Sequence, residues 1–158
     1  MLTYYTFIRP KEILMLKKYM INLKNQIIKL PANITKSGKP RTITIPDELK
    51  KYLLKIDFNK INDNEYIFSD KFSPGKKRKD SRYIGKRWTR LREEIGLGKD
   101  LQFYSLKDTG IIDMLKSGIS PEIVRDQAGH SSLEITNKYI KNYNLSANPE
   151  IKEKMNNF

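Results

Sequence analysis

Residues 105–139, SLKDTGIIDMLKSGISPEIVRDQAGHSSLEITNKY, decide how this chain folds. Ser105 stands where a helix N-cap belongs, and the helix it opens runs to Lys116 and is closed by Gly118. Ser120-Pro121-Glu122 starts a second helix, because the serine hydroxyl satisfies a free N–H and proline suits the first turn. That helix ends at Gly129. Ser131 or Ser132 then caps a third, from Leu133 to about Lys141.

Working outward toward the N-terminus, Ile84, Trp88, Leu91 and Ile95 recur at helical spacing, so residues 81–95 predict a basic amphipathic helix with that stripe facing the core. Before it come a basic loop over 72–80 containing Pro74-Gly75, a short buried segment over 65–69 and a polar connector over 59–64. Pro46-Asp47-Glu48 is a helix start, with Leu49, Leu53 and Ile56 as the apolar face of a helix reaching about Lys55. Gln26 to Leu30 and Arg41 to Ile45 are β-branched segments flanking the turn formers of Lys36-Ser37-Gly38-Lys39-Pro40, which predicts a β-hairpin or small sheet. Leu2 to Lys18 reads as a helix in two parts around Pro10. The expectation is a mainly α domain with a small antiparallel hairpin or sheet over 1–143, followed by a polar tail over 144–158.

At 158 residues the chain suits a single domain with a real core. It has no apolar run near the roughly 18 residues of a membrane span. Without cysteine, and with His130 as its one histidine, disulfides, thiolate chemistry and a His-rich metal site are excluded. The N-terminal MLTYYTFIRPKEI lacks the order of a secretory signal, so a cytoplasmic location is expected. The net charge of +13 makes nucleic acid the leading partner, against the competing explanation of a lysine-rich proteome. Distribution favours nucleic acid. Between Lys71 and Arg92, ten basic residues, among them Lys76, Lys77, Arg78, Lys79, Arg82, Lys86, Arg87 and Arg90, face one acidic residue, Asp80.

Four segments stand in order along the chain: Arg9-Pro10-Lys11-Glu12, Thr35-Lys36-Ser37-Gly38, Tyr104-Ser105-Leu106-Lys107, and Gly129-His130 through Tyr139. Together they resemble the active-site boxes of the tyrosine recombinases, the phage-integrase family. The last is the most specific, for Ala128-Gly129-His130-Ser131-Ser132 with Thr136 and Tyr139 matches the family's stretch ahead of its nucleophile, nine residues after the histidine.

The resemblance implies a DNA breaking and rejoining catalytic domain that performs site-specific recombination on double-stranded DNA, with neither cofactor nor metal. It assigns Tyr139 as the nucleophile that forms a 3′-phosphotyrosyl ester, conserving bond energy for rejoining. Arg9 clamps the scissile phosphate, Glu12 holds the scaffold, Lys36 protonates the departing 5′ hydroxyl, and His130 donates to a phosphate oxygen. Lys39 and Arg41 touch the DNA backbone. Each residue type also has an ordinary structural use: a helix-surface ion pair for Arg9 and Glu12, a solvated turn for Lys36, Lys39 and Arg41, a turn cap for His130, packing beside Ile135 for Tyr139.

Two positions depart from the family pattern, which has histidine and arginine where this chain has Tyr104 and Lys107. Lys107 is the expected variant second cation without the bidentate fork, and Tyr104 is a supporting residue whose phenol is a poor base at neutral pH. Only eight residues precede Arg9, so the family's DNA-gripping N-terminal domain and the first catalytic-domain helices are expected to be missing from this chain. By the same resemblance, the tail docks onto a neighbouring protomer, and a bacterial or phage origin is expected. The alternatives are a degenerate integrase that only binds DNA and an unrelated basic RNA-binding domain.

Overall fold

A computed structural model of the chain describes residues 1–143, and no described helix is long and apolar enough to cross a membrane. The fold is mainly helical with one small antiparallel sheet, as the sequence predicts. The N-terminal segment forms α1 (Leu2–Thr6) and α2 (Pro10–Ile13), separated by Phe7 in the left-handed region and with Pro10 in the first turn of the second helix. The expected continuation to Lys18 does not form. Leu14 and Leu16 are buried, and the Leu16 carbonyl accepts a bond from the Ile67 N–H at 2.8 Å, which draws the chain into the core instead.

Strands β1 (Ile21–Asn22), β2 (Ile27–Leu30) and β3 (Arg41–Thr44) form an antiparallel sheet in that order, with Ile28 opposite Ile43 in the core. The pair β2–β3 is the predicted hairpin; β1 is too short to leave a periodicity. Helix α3 (Asp47–Leu53) buries Leu49 and Leu53 against the same core, and Ile67 lies fully buried within the expected 65–69 segment.

The C-terminal layer comprises α4 (Arg82–Glu94), α5 (Ser105–Lys116), α6 (Pro121–Ala128) and α7 (Leu133–Tyr143). Two expectations need correction here. Ser105 is the first helical residue of α5 rather than its cap; its hydroxyl accepts the Gln102 N–H. On α4 only Ile84 of the predicted stripe is fully buried, while Leu91 and Ile95 are 46% and 57% exposed, because the distal turns run past the core. Ser120 does cap α6, accepting from the Ile123 N–H, and Gly129 ends it in the left-handed conformation.

A second apolar cluster of Phe7, Ile111, Leu115, Val124 and Ala128 joins α5, α6 and the loop after α1, with Tyr139 and Ile140 of α7 against it. Helices α1 and α5 approach so closely that a Cβ at Gly110 would strike the Tyr4 carbonyl. The sheet is tied to this layer by Gln127, whose side-chain amide accepts from the Thr44 N–H at 3.0 Å and donates to the carbonyls of Thr44 at 2.8 Å and Tyr5 at 3.3 Å.

Candidate active site

The site is built around two acceptors, the Glu12 carboxylate and the Ala128 carbonyl. Glu12 is the third residue of α2, where its Oε2 accepts the Arg9 N–H at 3.0 Å, as a residue near a helix start should. Its Oε1 accepts from Arg9 Nη1 at 3.3 Å and from the Lys36 backbone N–H at 3.2 Å, and its Oε2 takes Arg41 Nη2 at 3.3 Å. One buried carboxylate therefore gathers the first box, the hairpin turn and β3.

Arg41 does not point to solvent. Its side chain is 10% exposed, and Nη1 donates to the Ala128 carbonyl at 2.7 Å, the same oxygen that accepts Lys107 Nζ at 3.3 Å. A Cβ on Gly129 would collide with this guanidinium, so the glycine serves both the left-handed cap and the packing of Arg41. Lys107, on α5, is 1% exposed. Burial, followed by the charges of Arg9 and Arg41, lowers its ammonium to about 8, against the opposing pull of Glu12 and Asp108.

His130 follows the cap. Its Nδ1 lies 2.9 Å from the hydroxyl of buried Thr136, and burial, then Lys107, Arg9 and Arg41, lower its pKa to about 4. The ring is uncharged at neutral pH. If Thr136 donates to Nδ1, the imidazole proton sits on Nε2, the nitrogen free to donate to an anion. The Tyr139 ring stacks on His130, with centroids 6.1 Å apart and planes 7° from parallel. Its hydroxyl donates to Asp108 Oδ1 at 2.8 Å. Burial and that hydrogen bond raise the phenol well above its ordinary pKa. Asp108 is a contact that the motifs did not reveal; it follows Lys107 directly but lies 31 positions before Tyr139, with no spacing signal to link them.

Arg9, Glu12, Arg41, Lys107, His130 and Tyr139 are thus brought together from segments far apart in sequence. Lys36 and Lys39 remain exposed on the turn. Tyr104 is 40% exposed and lines an open cleft of about 750 Å³ with Arg9, Lys36 and Arg78. The basic stretch divides. Lys76, Lys77, Arg78, Arg82, Lys86, Arg87 and Arg90 are exposed, whereas Arg92 is buried and donates to the Lys99 carbonyl. Lys79 pairs with Asp70 and Arg82 with Asp80, and Arg87 lies over the Tyr83 ring. Arg87 and Arg90 border a separate apolar groove between α1 and α4.

Residues 1–145 match the family model described as "Phage integrase family". The tyrosine recombinase XerA of Pyrococcus furiosus is 29% identical over 147 residues, which cover 89% of this chain and 48% of that protein. Among solved structures, a XerA recombinase superposes with a TM-score of 0.70 at 24% identity, covering 98% of this chain and 54% of that one. The Tn1549 transposon integrase, in complex with a circular intermediate DNA, superposes with a TM-score of 0.74 at 16% identity, covering 99% and 56%. The chain spans about half the length of these relatives. With the ordered boxes, the fold and the family match in agreement, the chain belongs to the phage integrase family.

Proposed function

We propose that this chain is the strand-cleaving and rejoining part of a site-specific DNA recombinase, acting on double-stranded DNA through a phosphotyrosyl ester on Tyr139. The observation that carries the reading is the convergence of Arg9, Lys107 and His130 around the Ala128 carbonyl and Glu12, with Tyr139 stacked on the histidine. Phosphoryl transfer needs positive charge and donors about the equatorial oxygens, and the cluster supplies both. Arg9 provides the fork for the phosphate, Lys107 a second cation and His130 a neutral donor, while Lys36, exposed beside the cleft, delivers a proton to the departing 5′ oxygen. Arg41 supports the reading from inside, holding Glu12 and the Ala128 carbonyl in place. The protein acts as a DNA-associated protein of the cytoplasm, of bacterial or phage origin.

Residues 1–143 form the catalytic unit in this reading. Residues 144–158 lie outside the described part of the chain, and their Leu145, Ile151, Met155 and Phe158 support a docking role on a neighbouring protomer. Deleting 145–158 is expected to weaken multimers on DNA in light scattering, and unchanged assembly would refute the docking role.

The decisive experiment incubates the protein in EDTA with a library of nicked duplexes of randomised core sequence, then recovers protein-linked DNA under denaturing conditions. Wild-type protein is expected to retain a sequence-restricted set of duplexes through a 3′ phosphate, and Tyr139→Phe none. DNA bound with steep salt dependence but never linked would leave the binding-only alternative.

A further inference from the structure

We propose that Asp108 is a further catalytic residue, the carboxylate that receives the Tyr139 proton as the phenolic oxygen attacks the phosphate. The inference rests on the reading of Tyr139 as nucleophile given above. A phenol is a weak nucleophile until its proton leaves, and a general base must lie within hydrogen-bond reach of that proton. Asp108 Oδ1 accepts from the Tyr139 hydroxyl at 2.8 Å. The neighbouring candidates are engaged elsewhere. Arg9 and Arg41 are donors held by Glu12, and Lys107 is held by the Ala128 carbonyl. His130 lies nearly parallel to the tyrosine ring and has Nδ1 at Thr136.

The position follows from the helix. Successive residues on α5 differ by about 100°, so Lys107 turns into the core while Asp108 reaches α7. The tyrosine is fixed on three sides: by the His130 ring, by the apolar cluster of Ile111, Leu115 and Val124, and by Asp108 at its hydroxyl.

The step balances. The Tyr139 oxygen bonds to phosphorus as its proton passes to Asp108, and the bond from phosphorus to the 5′ oxygen breaks as Lys36 supplies the proton that oxygen needs. Rejoining reverses both transfers: the incoming 5′ hydroxyl gives its proton to Lys36, and Asp108 returns the other to the departing phenol.

The test uses the full chain and the duplex recovered by the denaturing capture, with single-turnover formation of the protein–DNA adduct as readout. Asp108→Asn preserves shape but cannot take a proton, and should slow adduct formation by about 100-fold or more with DNA affinity within about twofold of wild type. Asp108→Ala should be similarly slow and should regain rate when formate is added, which a merely structural carboxylate would not do. Asp108→Asn within about threefold of the wild-type rate, or Asp108→Ala that is folded, slow and indifferent to formate, would overturn the proposal alone. A wild-type chain that forms no adduct, or an adduct that survives Tyr139→Phe, would overturn the Tyr139 reading and this one with it.

Discussion

Among the described residues, two populations of cations stand apart that composition does not distinguish. Arg9, Arg41 and Lys107 lie against one another around a buried carboxylate and a carbonyl, while Lys76, Lys77, Arg78, Lys86 and Arg90 stand in water on the loop before α4 and on its outer face. The same residue types therefore do different work. In the first group burial, and after it the charge of each neighbour, disfavours a further positive charge, which is why Lys107 and His130 are both held well below their ordinary pKa values. In the second, solvent and salt screen each charge, and the group acts as a sum rather than through any single member.

The largest separation between the two populations should come from Tyr139, the proposed nucleophile. Tyr139→Phe is expected to lower adduct formation by about 10⁴-fold or more while DNA affinity, set largely by the exposed population, changes by less than about twofold. Affinity falling in parallel with adduct would mean the populations are not separable.

Next in size is the counter-charge. Glu12→Ala leaves Arg9 and Arg41 facing each other with no carboxylate between them and removes the larger of the two negative charges acting on Lys107, and is expected to cost about 3–5 kcal/mol in denaturant unfolding. Asp70→Ala, which removes the partner of Lys79 on the surface, should leave the unfolding midpoint close to that of wild type. Similar losses for the two would erase the distinction.

The pH response sharpens it further. The folded state lowers the Lys107 pKa to about 8, so between there and its ordinary value near 10.5 the unfolded chain binds a proton that the folded chain does not. Stability attributable to Lys107 must then rise with pH across that window, by up to about 3 kcal/mol. Compared with Lys107→Met, wild type should be the less stable below pH 8, with the gap closing by about pH 10.5. With Lys107 as the proposed second cation, adduct formation should fall as pH rises through about 8, and Lys107→Arg should hold its rate there.

The smallest effects belong to single exposed residues. Arg78→Ala and Arg90→Ala should each reduce the salt dependence of DNA binding by about one counterion, and Arg78→Ala should weaken affinity more, because Arg78 borders the cleft that Arg9 and Lys36 line and Arg90 the apolar groove. A binding titration showing the reverse order would place the duplex across the other face.

What the sequence reveals of this molecule follows the range of the forces involved. The bounds of α6 are legible because Ser120, Pro121 and Gly129 act on their own backbone neighbours. The β2–β3 pair is legible because alternation and a turn suffice for it. The exposure of Leu91 and Ile95 is not, since periodicity identifies a face of α4 without saying what covers it. In the site, motif order picks out Arg9, Lys107, His130 and Tyr139. The inward turn of Arg41 toward a carbonyl 87 positions away, and the reach of Asp108 to Tyr139, depend on how the sheet and helices pack.

The amide of Gln127 carries a last consequence. By meeting both the N–H and the carbonyl of Thr44, it behaves as a one-residue fourth strand on the open margin of β3. The margin it occupies is one on which another chain could add a strand, so the contact guards the protein against self-templating. It also fixes phase: Lys36 and Arg41 arrive with the sheet, and Lys107, His130 and Tyr139 with the helices, so a sheet that slipped by one residue would have to break this clasp before it could scramble the site.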